Sequence, residues 1–324
     1  MSLRLSLLCA LALLLASCQC GSGRRKTTED GRTRVTLLLN WFAEAEHGGF
    51  YAADVSGLYA EGGLEVDIQA GRPDAPVIAQ VGTGRAEFGC ANAAEVLLGR
   101  AQGVPVVALA APLQTDPRCV LVRASSPFQR LEDLRDVTFA MNQREPFAEF
   151  LRARLPLQGV RVVPYSGNIA QFLESESFVQ QAYVFSEPQL AEEAGVQTRC
   201  LMVADLGFNP YAQMLITNER MIREQPEIVR AMTRAVVAGW ARYLDDPGPT
   251  NLRIGALNPE MNEATLAYGA RAIAPLVRVA GTPIGSMSPE RWATLRSQMI
   301  EVGLIGNGQL TAGTSFDASF LSSE

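Results

Sequence analysis

Short apolar segments alternate with amphipathic ones through the first half of the chain. Continuous apolar runs at 35–39, 104–113, 137–141 and 160–163 are typical of strands that are buried on both faces. Between 64 and 69 apolar and polar residues alternate, which predicts a half-buried strand. Helical patterns fill the intervals, at 49–56, 75–81, 94–102 and 145–154. Strands that alternate with helices predict an α/β fold with mostly parallel sheets.

The last third of the chain follows a helical pattern instead. Apolar residues recur at helical spacing between 228 and 244. A second apolar stripe follows Ser288 and Pro289, which suit the N-cap and the first turn of a helix. Trp240 and Trp292 lie on these two stripes, so we expect both indole rings to be core anchors rather than ligand contacts.

The N-terminus combines a basic residue, a short apolar run and a small-residue exit. That order is typical of a secretory signal peptide, and the run is shorter than the ~20 residues that a membrane-spanning helix needs. Leu15-Ala16-Ser17-Cys18 resembles a bacterial lipobox, which implies that 1–17 is removed and that Cys18 carries a lipid. We expect 18–34 to be a flexible tether and the protein to be exported, in the periplasm or at the cell surface, with the lipid as its membrane anchor.

Composition limits the class of the remaining chain. It is long enough for two domains, and 48% hydrophobic with 19% charged residues is typical of a globular fold. The formal net charge of −6 disfavours nucleic acid as a partner, because nucleic-acid-binding proteins usually present basic faces.

The inventory of reactive side chains argues against an enzyme. The chain has one histidine, His47, and one lysine, Lys26, and the lysine lies in the predicted tether. A pyridoxal-phosphate enzyme and a Walker-type phosphate loop both need a lysine in the folded part, so both are excluded. Zinc-binding, Rossmann and nucleophile-elbow motifs are also absent. We therefore expect no metal site, no cofactor and no catalytic activity.

Three cysteines lie beyond the tether, at Cys90, Cys119 and Cys200. Their odd number and wide spacing do not fit a disulfide framework, and a buried free cysteine behaves as a small hydrophobic residue. One pair can still form in an oxidising compartment, and the sequence leaves open whether Cys119 and Cys200 form it.

A series of short motifs stands in order along the chain. The series comprises Asn40-Trp41-Phe42, His47-Gly48-Gly49-Phe50-Tyr51-Ala52-Ala53, 62–66, 80–89, Asn92-Ala93-Ala94-Glu95, 164–168, 180–188, 207–211 and Gly239-Trp240. It resembles the SsuA/THI5-like (NMT1-like) family of ABC-transporter substrate-binding proteins. The later motifs resemble the branch that binds pyrimidine precursors of thiamine, and the resemblance covers about 35–303.

The resemblance implies the two-lobed, type 2 periplasmic-binding-protein fold. In that fold two α/β lobes with mostly parallel sheets are joined by a hinge and close on a ligand. We place one lobe at 35–117 plus 213–324 and the other at 118–212. The resemblance also implies a monomer that hands its small-molecule ligand to an ABC permease.

Candidate ligand-binding residues follow predicted strands, where open α/β sheets bind their ligands, except Tyr211, which belongs to the motif 207–211. They are Asn40, Trp41, His47, Asn92, Glu95, Gln114, Tyr165, Asn168, Glu187 and Tyr211. Trp41 or Tyr165 is expected to stack on a heterocycle, and Glu187 to accept hydrogen bonds from an aminopyrimidine.

Ordinary structural roles are the alternative for several of these residues. His47 and Asn92 stand where they can cap a helix. Glu95 suits a first helical turn, and Tyr211 lies near the expected hinge. Arg144, in the loop 142–146, either pairs with an anionic ligand or faces solvent, so the ligand class stays open.

The preferred hypothesis is a binding protein for a thiamine pyrimidine precursor or a related nitrogen heterocycle. Within the family, the alternative is a binder of alkanesulfonate, taurine, nitrate or a similar anion. A pyrimidine synthase of the THI5 kind is disfavoured, because those relatives consume pyridoxal phosphate and the folded part of this chain has no lysine. A ligand-sensing receptor module is not distinguished from an importer component by the sequence.

Overall fold

The computed structural model describes residues 27–310 and 312–321. Within them the predicted α/β fold is confirmed, as two five-stranded sheets with helices packed against them. The predicted signal peptide, Cys18 and most of the tether lie outside the described residues. A search of the described helices found none with the length and apolar character needed to cross a bilayer.

The sheets are formed by ten strands of the described chain. In chain order these are β1 (Thr33–Leu38), β2 (Leu64–Gln69), β3 (Phe88–Ala91), β4 (Val106–Ala110), β5 (Arg118–Arg123), β6 (Thr138–Ala140), β7 (Arg161–Val163), β8 (Phe178–Tyr183), β9 (Thr198–Met202) and β10 (Met214–Asn218). The strand orders are β2-β1-β3-β10-β4 and β7-β6-β8-β5-β9. Only β10 and β5 run against the other four strands of their sheets, so both sheets are mostly parallel, as predicted.

The helices cover the sheets and make up most of the last third. They are α1 (Gly48–Val55), α2 (Leu58–Glu61), α3 (Val77–Gly82), α4 (Ala93–Ala101), α5 (Pro146–Arg154), α6 (Ala170–Glu174), α7 (Glu187–Glu193), α8 (Glu219–Glu224), α9 (Pro226–Asp245), α10 (Gly248–Leu257), α11 (Glu263–Val277) and α12 (Pro289–Glu301). Short 3-10 helices lie at Ala45–His47, Leu131–Asp133, Val203–Leu206, Ala312–Thr314 and Ala318–Leu321. Trp240 on α9 and Trp292 on α12 are buried in the core, as the apolar stripes predicted.

The first strand begins earlier than the tether prediction allowed. β1 starts at Thr33, and Thr27 forms an isolated bridge with Thr33. The N–H of Thr28 donates to the carbonyl of Arg32 at 2.9 Å, which closes a turn between them. Residues 27–34 are therefore part of the folded body, because their backbone groups have partners at the sheet edge.

The chain crosses between the sheets twice, through 111–117 and 203–213. Leu113 and Ala212 form a bridge between the two crossings. The N–H of Asp116 donates to Asn209 Oδ1 at 2.8 Å, so the crossings are bound to each other side by side. These segments lie where a hinge is expected, and the lobe boundaries inferred from the sequence stay a prediction.

Glycines allow α1 and α9 to pack in close contact. A Cβ on Gly239 would collide with the carbonyl oxygen of Gly49, and a Cβ on Gly49 would collide with the indole ring of Trp240. A Cβ on Gly48 would likewise collide with the ring of Tyr243. The Gly48-Gly49 and Gly239-Trp240 motifs therefore serve helix packing, which fixes the helix that follows the β1 loop.

We expect Gly239→Ala to lower the free energy of unfolding by about 1–3 kcal/mol, because the added methyl group must displace packed backbone. Gly255→Ala on α10 is the control. A Cβ there meets no atom closer than 3.6 Å, and alanine is favoured over glycine in a helix by about 1 kcal/mol. Urea denaturation of both variants measures the difference. Equal stability of the two would contradict the close contact of α1 and α9.

Candidate functional site

A cleft between the two sheets contains two adjoining cavities, which we call the large compartment and the small compartment. Their volumes are about 640 Å³ and 300 Å³. Residues at the carboxyl ends of strands line them, including Asn40 after β1, Asn92 after β3, Asn142 after β6 and Tyr165 after β7. Both sheets thus contribute walls at the edge where α/β sheets usually bind ligands.

Seven of the ten residues predicted from the sequence line this cleft. They are Asn40, Trp41, Asn92, Glu95, Tyr165, Asn168 and Glu187. Their arrangement brings groups from 40–95 together with groups from 165–187, across the space between the sheets. Contact of these side chains with a ligand stays a prediction.

His47 lies behind the cleft rather than in its lining. The side chain is fully buried, and its Nε2 lies 3.0 Å from Asn40 Oδ1. Burial lowers the pKa of His47 to about 3, so the imidazole is neutral at physiological pH. Its contact with Asn40 fixes the position of a side chain that lines the cleft. The His47 side chain makes no capping hydrogen bond to α1.

Gln114 and Tyr211 also lie outside the lining of both compartments. Gln114 Nε2 donates to the carbonyls of Ala111 and Ser286, at 2.7 and 2.9 Å. The Tyr211 hydroxyl accepts a hydrogen bond from the N–H of Ser288 at 3.0 Å. Internal partners rather than a ligand occupy these polar atoms, and both residues attach the crossing segments to the last third of the chain.

Carboxylates dominate the small compartment. Its lining includes Glu44, Glu46, Glu145, Glu187 and Glu260. Among the described residues that line it, Arg118 is the one basic side chain. No three acidic, histidine or cysteine side chains of the described chain are arranged to hold a metal ion.

The three carboxyl groups at the centre of this compartment have raised pKa values. Burial, with the nearby charge of Glu187, raises the pKa of Glu44 to about 7. Burial and the charges of Glu44 and Glu187 raise the pKa of Glu46 well above its usual range. Burial also raises the pKa of Glu187. Hydrogen bonds from the Tyr183 N–H and the Tyr165 hydroxyl, both at 2.8 Å, lower that pKa but do not offset the effect of burial. Ionisation of these groups in the cleft therefore costs free energy unless a partner compensates their charge.

Arg118 is the buried cation of the cleft. It forms an ion pair with Glu145 at 2.6 Å, donates to the Tyr183 hydroxyl at 2.7 Å and lies 4.2 Å from the centre of the Phe147 ring. Burial alone would lower the pKa of Arg118, but the charge of Glu145 and other neighbours raises it. Its positive charge in turn lowers the pKa of Glu46, against the effect of burial.

Aromatic rings line the small compartment beside the carboxylates. Trp41, Phe42, Tyr165 and Tyr183 all lie in its wall. Trp41 Nε1 donates to Glu44 Oε1 at 3.2 Å, so the indole that borders the cavity also orients a carboxylate. Flat apolar faces next to hydrogen-bond acceptors suit a flat ligand with polar edges.

The large compartment is lined by more amides and by a second arginine. Asn142, Gln143 and Arg144 line it, and the side chain of Arg144 is exposed. Asn142 Oδ1 accepts from the N–H of Arg144 at 3.2 Å, which holds the loop in a turn. Arg144 thus borders both the cavity and solvent, the two alternatives that the sequence left open.

Sequence comparison finds relatives that are named as binding proteins and relatives that are named as enzymes. The riboflavin-binding protein RibY of Chloroflexus aurantiacus is 27% identical over 224 residues, which is 66% of this chain and 63% of RibY, less than two thirds of that relative. The formylaminopyrimidine-binding protein of Halalkalibacterium halodurans is 25% identical over 251 residues, 75% of each chain. A 4-amino-5-hydroxymethyl-2-methylpyrimidine phosphate synthase of Uromyces fabae is 22% identical over 253 residues, 71% of this chain and 72% of that enzyme.

A solved structure and a family profile complete the comparison. The periplasmic aliphatic sulphonate binding protein SsuA of Escherichia coli superimposes with a TM-score of 0.64 at 13% identity, over 90% of this chain and 94% of SsuA. It shows the same two-sheet fold. The sequence profile of the NMT1/THI5-like family matches residues 44–249, most of the described chain. The chain therefore belongs to the NMT1/THI5-like family.

Proposed function

We propose that this protein is the substrate-binding component of an ABC importer and that it captures a nitrogen heterocycle in its cleft. The observation that carries the proposal is the small compartment, where Glu44, Glu46 and Glu187 surround a cavity bordered by Trp41 and Tyr165. A flat ring with N–H donors or a positive charge satisfies both features at once, since it stacks on the aromatic faces and binds the carboxylates.

The raised pKa values support a ligand that brings hydrogen-bond donors. Ionised Glu44 and Glu46 repel each other in the empty cleft, and burial deprives both of water. A donor or a cation between them stabilises the ionised forms, which converts an unfavourable arrangement of the empty protein into binding free energy. Riboflavin and formylaminopyrimidine, named for the two binding-protein relatives, are nitrogen heterocycles with polar edges, and we propose a pyrimidine precursor of thiamine or a related heterocycle as the ligand.

An anion is the less favoured ligand. SsuA is named as a sulphonate binding protein, but it is only 13% identical to this chain. Its similarity therefore supports the fold and not the choice of ligand. Arg118 is already paired with Glu145 and Tyr183. The carboxyl groups of the small compartment repel a sulfonate or nitrate once they are ionised, so Arg144 would then be left as the main attraction for an anion in the large compartment.

A binding role is also preferred over catalysis. The Uromyces fabae synthase is matched at lower identity than the two binding proteins, and a synthase of Legionella pneumophila, at 28% identity, is matched over only 32% of this chain. The folded chain has no lysine for a pyridoxal Schiff base. Its one histidine, His47, is buried, neutral and outside the lining of both compartments.

The remaining parts of the proposal concern delivery. We propose that the protein is exported, that Cys18 carries a lipid anchor, and that a monomer presents its loaded form to a permease. The segments 35–117 plus 213–324 and 118–212 would act as the two lobes that close on the ligand. The paired crossings at Leu113 and Ala212 support a hinge at this position.

A thermal-shift series on the purified protein tests the ligand class. The compounds are 4-amino-5-hydroxymethyl-2-methylpyrimidine, formylaminopyrimidine, riboflavin, hexanesulfonate, taurine and nitrate. We expect stabilisation by at least one heterocycle, by about 2.7 kcal/mol at 100 times its Kd. Glu187→Gln should weaken that binding by about tenfold or more, because a hydrogen bond to a charged group is worth about 1.5–3 kcal/mol.

Glu192→Gln is the matched control for Glu187→Gln. It makes the same charge change on the same helix, at an exposed position outside the cleft lining. The control should bind like the unmodified protein. Stabilisation by sulfonates alone would overturn the heterocycle proposal in favour of anion import. No stabilisation by any of the six compounds would overturn the proposed ligand class and leave the family assignment intact.

A further inference from the structure

Gln213 is the last residue of the second crossing, directly before β10. The preceding residue, Ala212, bridges to Leu113 of the first crossing. Gln213 has a backbone φ of +50°, in the left-handed region that residues other than glycine rarely adopt. Its side chain is fully buried. A buried glutamine in this conformation persists only where its surroundings hold it in place.

Three hydrogen bonds hold Gln213. Its side-chain Nε2 donates to Glu46 Oε2 at 2.8 Å, and its Oε1 accepts from Cys90 Sγ at 2.8 Å. Its backbone N–H donates to Asn92 Oδ1 at 3.2 Å. The carbonyl of Tyr211, two residues earlier, accepts from the N–H of Ala93 at 2.9 Å. The crossing segment is thus attached to the start of α4 and to the 3-10 helix that carries Glu46.

Two of these partners line the cleft, whereas Gln213 does not. Glu46 borders both compartments and Asn92 borders the large one. One buried amide therefore connects ligand-facing groups with the chain that passes between the sheets. Any movement of the crossing at Gln213 must move the Glu46 carboxylate or break the bond between them.

We propose that Gln213 is a positioning residue for ligand capture, which aims the Glu46 carboxylate into the cleft and couples it to the crossing between the sheets. This role rests on the proposed function, because it gives Glu46 the task of binding the ligand. A ligand that holds Glu46 in place then also favours one arrangement of the crossing segment, which links ligand occupancy to the relation between the two sheets.

The electrostatic surroundings of Glu46 make this coupling measurable. Glu44 on its own side and Glu187 from α7 face it with negative charge, and Arg118 from β5 faces it with positive charge. His47 Nε2 lies 3.6 Å from Glu46 Oε1, and the pKa of His47 is lowered to about 3 by burial, so it adds no charge. Gln213 is the neutral donor to Glu46, and its hydrogen bond lowers the pKa of that carboxyl group.

The first experiment measures Glu46 in the unliganded protein. Carboxyl-carbon NMR should show a higher pKa for Glu46 in Gln213→Gly, because the donor to the ionised form is lost. Glycine accepts the left-handed backbone, which protects the fold of this variant. Gln213→Ala, a second variant, removes the same donor and keeps the backbone constraint, so a raised pKa is expected in it too.

Asp136→Gly is the matched control. Asp136 also has a positive φ, +53°, and it lies outside the cleft lining. This variant relieves the same kind of backbone constraint and should leave the Glu46 titration unchanged. An unchanged Glu46 pKa in Gln213→Gly, or an equal change in Asp136→Gly, would overturn the positioning role whatever ligand the protein binds.

The second experiment measures the crossing and the ligand. Amide exchange over 209–213 should become about tenfold faster in Glu46→Ala and stay unchanged in Glu192→Ala, at an exposed position outside the cleft lining, since the pair to Gln213 is broken in the first variant alone. Gln213→Gly should bind riboflavin or 4-amino-5-hydroxymethyl-2-methylpyrimidine about threefold to tenfold more weakly, with the acidic limb of the affinity profile moved to higher pH. Unchanged exchange in Glu46→Ala would overturn the coupling.

The two proposals fail separately. If Glu46 titrates at higher pH in Gln213→Gly but neither heterocycle binds the unmodified protein, the heterocycle function is wrong and the hold of Gln213 on Glu46 stands. If a heterocycle does bind, the affinity of the double variant Glu46→Gln, Gln213→Gly tests the coupling. A loss of affinity equal to the product of the losses in the two single variants would mean that Gln213 does not act through Glu46.

Discussion

Replacement of Arg118 by methionine is expected to lower the free energy of unfolding by about 3–5 kcal/mol at neutral pH. Arg118 is 6% exposed and pairs with Glu145 at 2.6 Å. Methionine fills a similar volume and should keep the contact with the Phe147 ring. The lost stability is therefore expected to come from the removed charge and not from poorer packing. Removal of Arg118 leaves Glu145, whose side chain is 33% exposed, without its cation, and the fully buried Glu46 loses the positive charge that favours its ionised form.

Chemical denaturation at several pH values measures this loss. Arg118→Met with Glu145→Gln is the matched double variant, because it removes both charges of the pair. We expect it to be at least about 1 kcal/mol more stable than Arg118→Met. The stability of Arg118→Lys should fall between that of the unmodified protein and that of Arg118→Met, since a lysine keeps the charge but not the planar group that stacks on Phe147 and reaches Tyr183.

The pH dependence separates this electrostatic role from a packing role. In Arg118→Met the destabilisation should shrink as pH falls and the cleft carboxylates become protonated. A loss of less than about 1 kcal/mol at neutral pH, or a loss that is the same at pH 5 and pH 8, would contradict the assignment of Arg118 as the compensating cation.

The fold was predictable because its signals are local. Four apolar runs and one alternating segment located five of the ten described strands to within about three residues at each end, since strands buried on both faces need continuous apolar sequence. The other five, β3, β5, β8, β9 and β10, were not predicted. The order of the short motifs then indicated the family. The structure explains part of that signal physically, because Gly48, Gly49 and Gly239 are required where two helices meet without room for a side chain.

The candidate site was predicted less completely because it is assembled from distant segments. Residues that directly follow strands, such as Asn40, Asn92 and Tyr165, were found from the rule that such positions face ligands. Gln114 was named by the same rule and Tyr211 by the motif 207–211, but both bind partners in 286–288, which lie more than 70 residues away in the sequence. Only the folded chain reveals such partners.

The residues that the sequence prediction missed carry weaker signals. Arg118 opens an apolar strand, so a charge at that position was a sign of a buried ion pair. Glu44 and Glu46 lie in the short segment between Trp41 and His47, which were both named, yet nothing in that segment marks its carboxylates as buried. Their raised pKa values arise first from burial and then from neighbouring negative charges, which include Glu187, about 140 positions further along the chain.

Affinity for the ligand is expected to increase by about 100-fold between pH 5 and pH 8. In the empty protein the pKa of Glu44 is about 7 and its ordinary value is 4.5, so the native state binds more protons than the unfolded state between these values. The free energy of unfolding therefore falls as pH rises through this window, by on the order of 3 kcal/mol for one such group. A ligand that donates hydrogen bonds favours the ionised carboxyl group, and must displace that proton when the pH is low.

Calorimetry at pH 5, 6.5 and 8 measures this effect, with a heterocycle that does not itself titrate in that range. Buffers of different ionisation enthalpy then count the protons that binding releases. Glu44→Gln removes the titrating group, so it should flatten the profile and stabilise the empty protein at pH 8 more than at pH 5. An affinity that falls as pH rises would mean that the cleft binds best when its carboxyl groups are neutral. The preferred ligand would then be an anion, and the electrostatic basis of heterocycle capture would be wrong.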